Sequence, residues 1–274
     1  MEIPEHFAEL SIRMSEALDE SGAGKETVLE RRRTFLWREQ MEKIAMKLQG
    51  RNVECFHFGS QSEGTTIPGL QSDIDLLISF NNENIITEWE DWKAGIKNYL
   101  MLRDDTTPPQ QYLLQAFKDY IPEPETSLVN DTLVRKDSGQ VLFSAERHKQ
   151  FIAYFDRAQG EAIYNGPSVS FVHNWDIVNA SYVRKSLPET ELWIDRCRGR
   201  HWPPVQLIEA ARVASCFLVP AGHPDSDYKH EEWRLSPNLI ERMLIFSFNI
   251  TQIKCYIVLK LIKNLYFLIL WEIL

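Results

Sequence analysis

The sequence predicts an α+β fold. Two helical stretches come first, strand-like runs occupy the middle at 53–58, 73–80 and 176–183, and the pattern turns helical again after Pro188. With 274 residues, 44% of them hydrophobic and 25% charged, the chain suits one large globular domain or two intimate lobes and is not a mainly disordered polymer. The formal charge of −9 argues against a protein that coats nucleic-acid phosphates over its whole surface, although a local basic face stays open.

The elements follow in order. Phe7, Leu10, Met14 and Leu18 recur at helical spacing, and Gly22 and Gly24 break that helix. A longer helix is expected over 26–50, with Val28, Leu36, Ile44 and Leu48 along one side and Arg31, Arg32 and Arg33 read as a solvated face. A loop or short helix at 59–70 joins the first two strands, and a polar linker is expected at 103–109. Ser144 is placed to cap a helix carrying Phe151, Ile152 and Phe155. Pro203-Pro204 opens another helix, 216–220 reads as a short strand, and Ser236-Pro237 reads as a capped helix start. The apolar tail at 256–274 contains Lys260, Lys263 and Glu272. It is read as a core helix short of its packing partner, not as a membrane anchor, because a span needs about 20 apolar residues.

Four scattered cysteines, Cys55, Cys197, Cys216 and Cys255, form no CxxC pair and so give no zinc-ribbon pattern. The start has neither a basic nor an apolar leader segment. A reducing, cytoplasmic setting is therefore the expectation.

The chemistry concentrates at Asp73-Ile74-Asp75. Side chains alternate along a strand, so both carboxylates point the same way, about 7 Å apart, and repel each other unless a cation sits between them. Hard oxygen donors of this kind suit Mg²⁺ or Mn²⁺. Upstream, Gly59-Ser60 follows a strand and offers backbone N–H groups and a hydroxyl to an anion such as a triphosphate. A phosphate cradle beside a metal-binding strand is what phosphoryl or nucleotidyl transfer needs. The His223, Asp225, Asp227 and His230 stretch matches no metal spacing and reads as a polar connection.

Phe58-Gly59-Ser60, followed by Pro68-Gly69-Leu70-Gln71-Ser72-Asp73-Ile74-Asp75, resembles the signature of the Mab-21-like nucleotidyltransferases, which include cyclic GMP-AMP synthase and the cyclic GMP-AMP synthase-like receptors. Two later blocks agree in order: Glu232-Trp233-Arg234-Leu235-Ser236 with Glu241, and Leu259-Lys260-Leu261-Ile262-Lys263. The resemblance implies a nucleotidyltransferase-fold mixed sheet with an N-terminal spine helix and a partial C-terminal helical lobe. It divides the chain into N-terminal helices (1–50), a nucleotidyltransferase core (51–240) and the start of a C-terminal helical lobe (241–274). It also implies that Asp176, ahead of Trp202-Pro203, is the third metal carboxylate beside Asp73 and Asp75, the trio being both catalytic and metal-binding.

Gly59, Ser60, Arg234, Ser236, Glu241 and Lys263 become the nucleotide-binding set, with Asn238 near the base. The implied substrates are ATP and GTP and the implied product is a cyclic dinucleotide used in innate immune signalling. A double-stranded nucleic acid activator is left open, with Arg184, Lys185, Arg196, Arg198 and Arg200 as its candidate patch. Only Cys255 lies between the last two blocks, so no zinc thumb is expected. The family's later helices and nucleotide-stacking Tyr fall beyond Leu274, so the lobe is read as incomplete. Two other readings share these residues: a Mab-21-like protein that binds nucleotides or partners without catalysis, and a polymerase-like transferase that extends RNA ends.

Overall fold

The computed structural model describes residues 5–68, 70, 72–103, 107–155, 160–172, 174–197 and 199–273, without the side chains of 5, 155, 193 and 264–273. Gly69 and Gln71 of the signature, the middle of the 103–109 linker, the Phe155 side chain, Arg198 and the end of the apolar tail lie outside the described residues.

Helix α1 (Glu5–Leu18) ends in a π-turn (Asp19–Ala23), where Gly22 adopts φ 88° and turns the chain into α2 (Lys25–Leu48). Then come β1 (Val53–Phe58), α3 (Gly59–Glu63), β2 (Ile74–Phe80), β3 (Glu83–Ile86), β4 (Lys97–Leu102), β5 (Gln111–Ala116), β6 (Leu133–Arg135), β7 (Val141–Phe143) and α4 (Ala145–Phe155). The second half runs β8 (Ile163–Asn165), β9 (Ser168–Ser170), β10 (Trp175–Val183), α5 (Pro188–Asp195), α6 (Val205–Arg212), β11 (Cys216–Val219), β12 (Trp233–Ser236), α7 (Asn238–Phe246) and α8 (Ile250–Ile273).

The strands form one mixed sheet in the order β1-β2-β10-β11-β12-β5-β4-β3, with β6 to β9 attached off that path. β2 is antiparallel to β1 and parallel to β10, so it has a ladder on each side, and its two faces are both covered. Leu76 and Ile78 join Val53 and Cys55 under Met46 of α2. Leu77 faces the other way, with Phe58, Ala180, Phe217 and Val219. A larger core lies around β5, β7 and β12, where the Phe143 ring stacks on Tyr99 (4.3 Å) and Trp233 (4.9 Å).

Helix α2 departs from the expected pattern. Of the predicted stripe only Val28 is buried; Leu36 is exposed, and Ile44 and Leu48 are 51% and 84% exposed. The face against the sheet carries Arg32 and Glu39 instead. The reason is polar satisfaction. Arg32 donates to three main-chain carbonyls, Glu63 O (2.9 Å), Phe246 O (3.1 Å) and Ile245 O (3.1 Å). Glu39 accepts from His57 N (2.6 Å) and from Arg242. Unmet, those groups would cost more than burial of a leucine returns. Arg31 also turns inward, onto Thr66 O (2.6 Å). The arginine triplet is therefore structural at two of its three positions, and only Arg33 is exposed.

Ser144 caps α4 as expected, accepting from Arg147 N (3.3 Å). Ser236 does not cap α7. It ends β12 and donates to Asn238 Oδ1, while Pro237 precedes the helix without a side-chain cap. The first half of α8 does have packing partners, because Ile253 and Ile257 are buried with Leu18, Ala23 and Val28. Among the described residues no helix is long and apolar enough to cross a membrane.

Candidate active site

The site grows from the β1–α3 junction. Phe58 pairs with Asp75 across the β1–β2 ladder, so the chain turns into α3 directly beside that carboxylate. Gly59 makes the turn at φ +77°, and a Cβ there would stand 2.9 Å from Asp75 Cγ. Both the backbone conformation and the close approach require glycine.

Asp75 is in register with Asp176 on the parallel neighbour β10. Paired residues on adjacent strands lie about 4.8 Å apart and share a face. Asp73 precedes β2 and is exposed. Burial first, then Asp176, then Asp73, push the Asp75 carboxyl up to about 6. The β8–β9 hairpin holds Asp176, whose Oδ1 accepts from Ser170 Oγ (2.7 Å) and Ser168 Oγ (3.1 Å). The trio thus gathers at one end of β2 and β10. Its crowding is of the kind a hard divalent cation offsets, and its chemistry fits Mg²⁺ or Mn²⁺. As placed, no three His, Cys, Asp or Glu side chains among the described residues enclose an ion by themselves.

Next to the trio opens a cleft of about 400 Å³. Gly59, Asp75, Arg234, Ser236 and Glu241, all expected from the sequence, line it together with Asn238. Ser60, Asp73, Asp176 and Lys263 are not among its walls. Three further groups, Glu63, Tyr256 and Lys260, line or adjoin the site without a role there assigned from the sequence, although Lys260 stands in the 259–263 block and Glu63 four residues after Gly59. Glu63, at the end of α3, lines the cleft and is buried; burial, Glu241 and Asp75 raise its carboxyl to about 7 against the pull of Lys260. Tyr256 supplies an aromatic wall.

Lys260, not Lys263, meets the Gly-Ser turn, donating from Nζ to Ser60 Oγ (2.6 Å) and Thr65 Oγ1 (3.2 Å) and lying 4.6 Å from the Tyr256 ring centre. Burial lowers the Lys260 ammonium, which Glu63 and Asp75 partly restore. Lys263 is exposed, nearly a turn further on. Helical spacing alone does not separate the two lysines, because i and i+3 share a face.

The other candidates separate clearly. Glu232 takes up the loop before β12, accepting from His223 N (2.8 Å) and Ser226, so that segment is a connection as expected. In the basic group, Lys185 is tied to Asp91 (2.5 Å) and Glu88 (3.6 Å), and Arg184 lies over the Tyr182 ring.

A family model described as a nucleotidyltransferase domain matches residues 38–135. That range holds the Gly59-Ser60 turn, Asp73 and Asp75, and ends before Asp176 and the α8 lysines. The mixed α+β sheet agrees with that fold, and the match supports nucleotidyl transfer in general, from nucleoside triphosphates. No curated protein matches the chain.

Proposed function

We propose that the cleft binds a nucleoside triphosphate and that, with the help of a divalent cation, the chain transfers its nucleotidyl group to a ribose hydroxyl: the hydroxyl oxygen bonds to the α-phosphorus, the α–β phosphoanhydride bond breaks, pyrophosphate leaves and the hydroxyl proton is released. The observation that carries this reading is the register of Asp75 opposite Asp176 with the Gly59 turn pressed against Asp75. Asp73, Asp75 and Asp176 would hold Mg²⁺ or Mn²⁺. Such an ion supplies Lewis-acid polarisation and neutralises developing phosphate charge. Gly59, Ser60 and Lys260 would take the phosphates, with Lys263 following from the same helix. Arg234, Ser236, Glu241 and Tyr256 would orient the sugar and base. The planar Arg234 guanidinium suits a bidentate contact.

Within nucleotidyltransferases, the resemblance to Mab-21-like members supports a finer reading: a cyclic GMP-AMP synthase-like receptor that joins ATP and GTP into a cyclic dinucleotide for innate immune signalling. Cys55 and Cys216, buried as thiols, accord with a reducing, cytoplasmic setting for it. A second reading, nucleotide binding without catalysis, is favoured by one feature. Protein partners already engage the Ser60 hydroxyl and Asp176 Oδ1.

Labelled ATP and GTP with Mg²⁺, with and without double-stranded RNA or DNA, separate the readings. A cyclic dinucleotide that disappears in Asp75→Asn supports the first. Linear extension of an RNA end identifies a polymerase-like transferase. Nucleotide binding with no product in any condition contradicts catalysis.

A further inference from the structure

Helix α4 covers the sheet beside β3 and leaves a gap there. One turn of it carries His148, Phe151 and Ile152, which at i, i+3 and i+4 share a face. His148 is 6% exposed and packs on Phe143 (5.1 Å) and Trp233 (5.4 Å). The Phe143 ring is itself stacked on Tyr99 and Trp233, so it fills the core and not the space above β3. What remains is a cavity of about 230 Å³, with Phe80, Phe151 and Ile152 on its apolar side. None of the described residues around it lines the cleft beside Asp75.

The polar side carries one charge of each sign. Glu83 and Lys97 are in register on β3 and β4, so their side chains start about 4.8 Å apart on one face, and both border the cavity. They do not pair. Among the described residues Lys97 has no ion-pair partner, and Glu83 accepts only from Ser181 Oγ (2.8 Å). Burial raises the Glu83 carboxyl to about 6 against the pull of Ser181 and Lys97, which leaves it ionised at pH 7 in most copies. Burial, then Lys97, lowers the His148 imidazolium to about 4, so the ring is neutral there and can accept a hydrogen bond. Asn130 Oδ1 is taken by Thr132 N (3.0 Å) and Thr132 Oγ1 (2.5 Å), which leaves its amide as a donor at the cavity.

Two unpaired opposite charges over one cavity select against a ligand of either single charge. A lone anion meets Glu83, and a lone cation meets Lys97. A molecule that carries both signs a short distance apart answers both. The volume lies below the roughly 300–1,000 Å³ of drug-sized sites, and the apolar side suits hydrocarbon.

We infer that this cavity binds a free α-amino acid with an apolar side chain. Its ammonium donates to Glu83 and His148, its carboxylate meets Lys97 and the Asn130 amide, and its side chain lies against Phe80, Phe151 and Ile152. Lys97 also borders a second cavity, of about 310 Å³, with Asp119 and Glu125 in its wall. Glu125 already accepts from Thr126 N (2.8 Å) and Ser127 N (3.0 Å), so Asp119 is the rival for the Lys97 ammonium.

Isothermal titration calorimetry of the full chain with L-leucine, L-methionine and L-phenylalanine tests this. The expected result is saturable binding at one site per chain. For the tightest of the three, the amine that lacks its carboxylate and the acid that lacks its ammonium should each bind about tenfold weaker. Lys97→Met should weaken the amino acid about tenfold and leave the amine within about twofold. Glu83→Gln should weaken it about tenfold and leave the acid within about twofold. Lys97 is exposed, so its variant keeps the fold even if the change at the Glu83–Ser181 bond does not, and a circular dichroism melt checks each. No saturable binding of any of the three up to about 10 mM overturns the proposal and leaves a water-filled cavity. An amine or an acid that binds as tightly as its amino acid overturns it too. So does amino-acid binding that is indifferent to Lys97→Met or to a folded Glu83→Gln, since the ligand then lies elsewhere or Lys97 belongs to Asp119.

Discussion

Strand β2 and helix α2 answer the same question in opposite ways. Both belong to the β1–β2 end of the sheet, where α2 packs over β1, and both carry charged and apolar residues at regular spacing. In β2 the alternation is obeyed: Leu76 and Ile78 pack on one side, Leu77 on the other, and the acidic pair is held at the strand's leading end. In α2 the polarity is reversed, with Arg32 and Glu39 inside and Trp37 and Leu48 outside. A strand inside a sheet meets its main-chain needs through the ladder, so its side chains sort by hydrophobicity alone. A helix laid over strand ends and helix ends meets their unpaired carbonyls and N–H groups, and those must be answered by side chains.

Breaking the inner seam of α2 should have the largest effect. Arg32→Ala leaves Glu63 O and Phe246 O without this donor, while Ile245 O keeps Phe248 N (3.2 Å), and is expected to cost about 3 kcal/mol in urea unfolding, whereas Arg33→Ala next door should stay within about 0.5 kcal/mol. Equal effects would mean that the triplet is merely solvated. At the head of β2, Gly59→Ala forces a side chain into Asp75 at a positive φ. We expect about 2 kcal/mol of lost stability in thermal unfolding, and turnover of labelled nucleoside triphosphate lowered about 100-fold.

The pH dependence sharpens the same contrast. Asp75 titrates near 6 in the fold against an ordinary 3.8, so its contribution favours the fold fully below pH 4 and is lost as pH rises through 6. Glu63, raised to about 7, acts in the same direction. In metal-free protein, the part due to Asp75 should lower stability by about 2 kcal/mol between pH 4 and pH 8, allowing for its partial exposure. Asp75→Asn should flatten that fall and melt higher at pH 8 than the parent, as read from denaturation at each pH. The smallest effect belongs to the exposed side of α2: Leu48→Ala should change stability by no more than about 0.5 kcal/mol in the same denaturation measurement.

What is legible in the sequence follows the same division. β1, β2, β10, β11 and α4 can be read because their residues satisfy local rules: alternation, β-branching and a serine cap. The short strands β3, β6, β8, β9 and β12 carry too few residues for a period to show, whereas the equally short β11 is an unbroken apolar run, Cys216–Val219, that needs no period. Hydrophobic spacing misreads the face of α2 because it cannot report carbonyls more than 200 residues away, such as Ile245 O and Phe246 O, that need a donor. In the site, the Gly-Ser turn and the Asp73–Asp75 pair have local spacing to announce them. Asp176 is reached through family resemblance, and its register with Asp75 depends on the parallel β2–β10 pairing that the sequence alone does not show. Glu63 has one available signal, its place four residues after Gly59 on a single helical turn. Lys260 is distinguished from Lys263 only once α8 is seen lying against Ser60.

On the proposed reading, Asp75 and Asp176 act together on one divalent cation. Mn²⁺ affinity, followed by paramagnetic resonance in the parent, Asp75→Asn, Asp176→Asn and the double variant, tests it without reference to turnover. The expected result is strong non-additivity, with either single substitution weakening Mn²⁺ binding nearly as much as both together. Parent-like affinity in Asp176→Asn would contradict it.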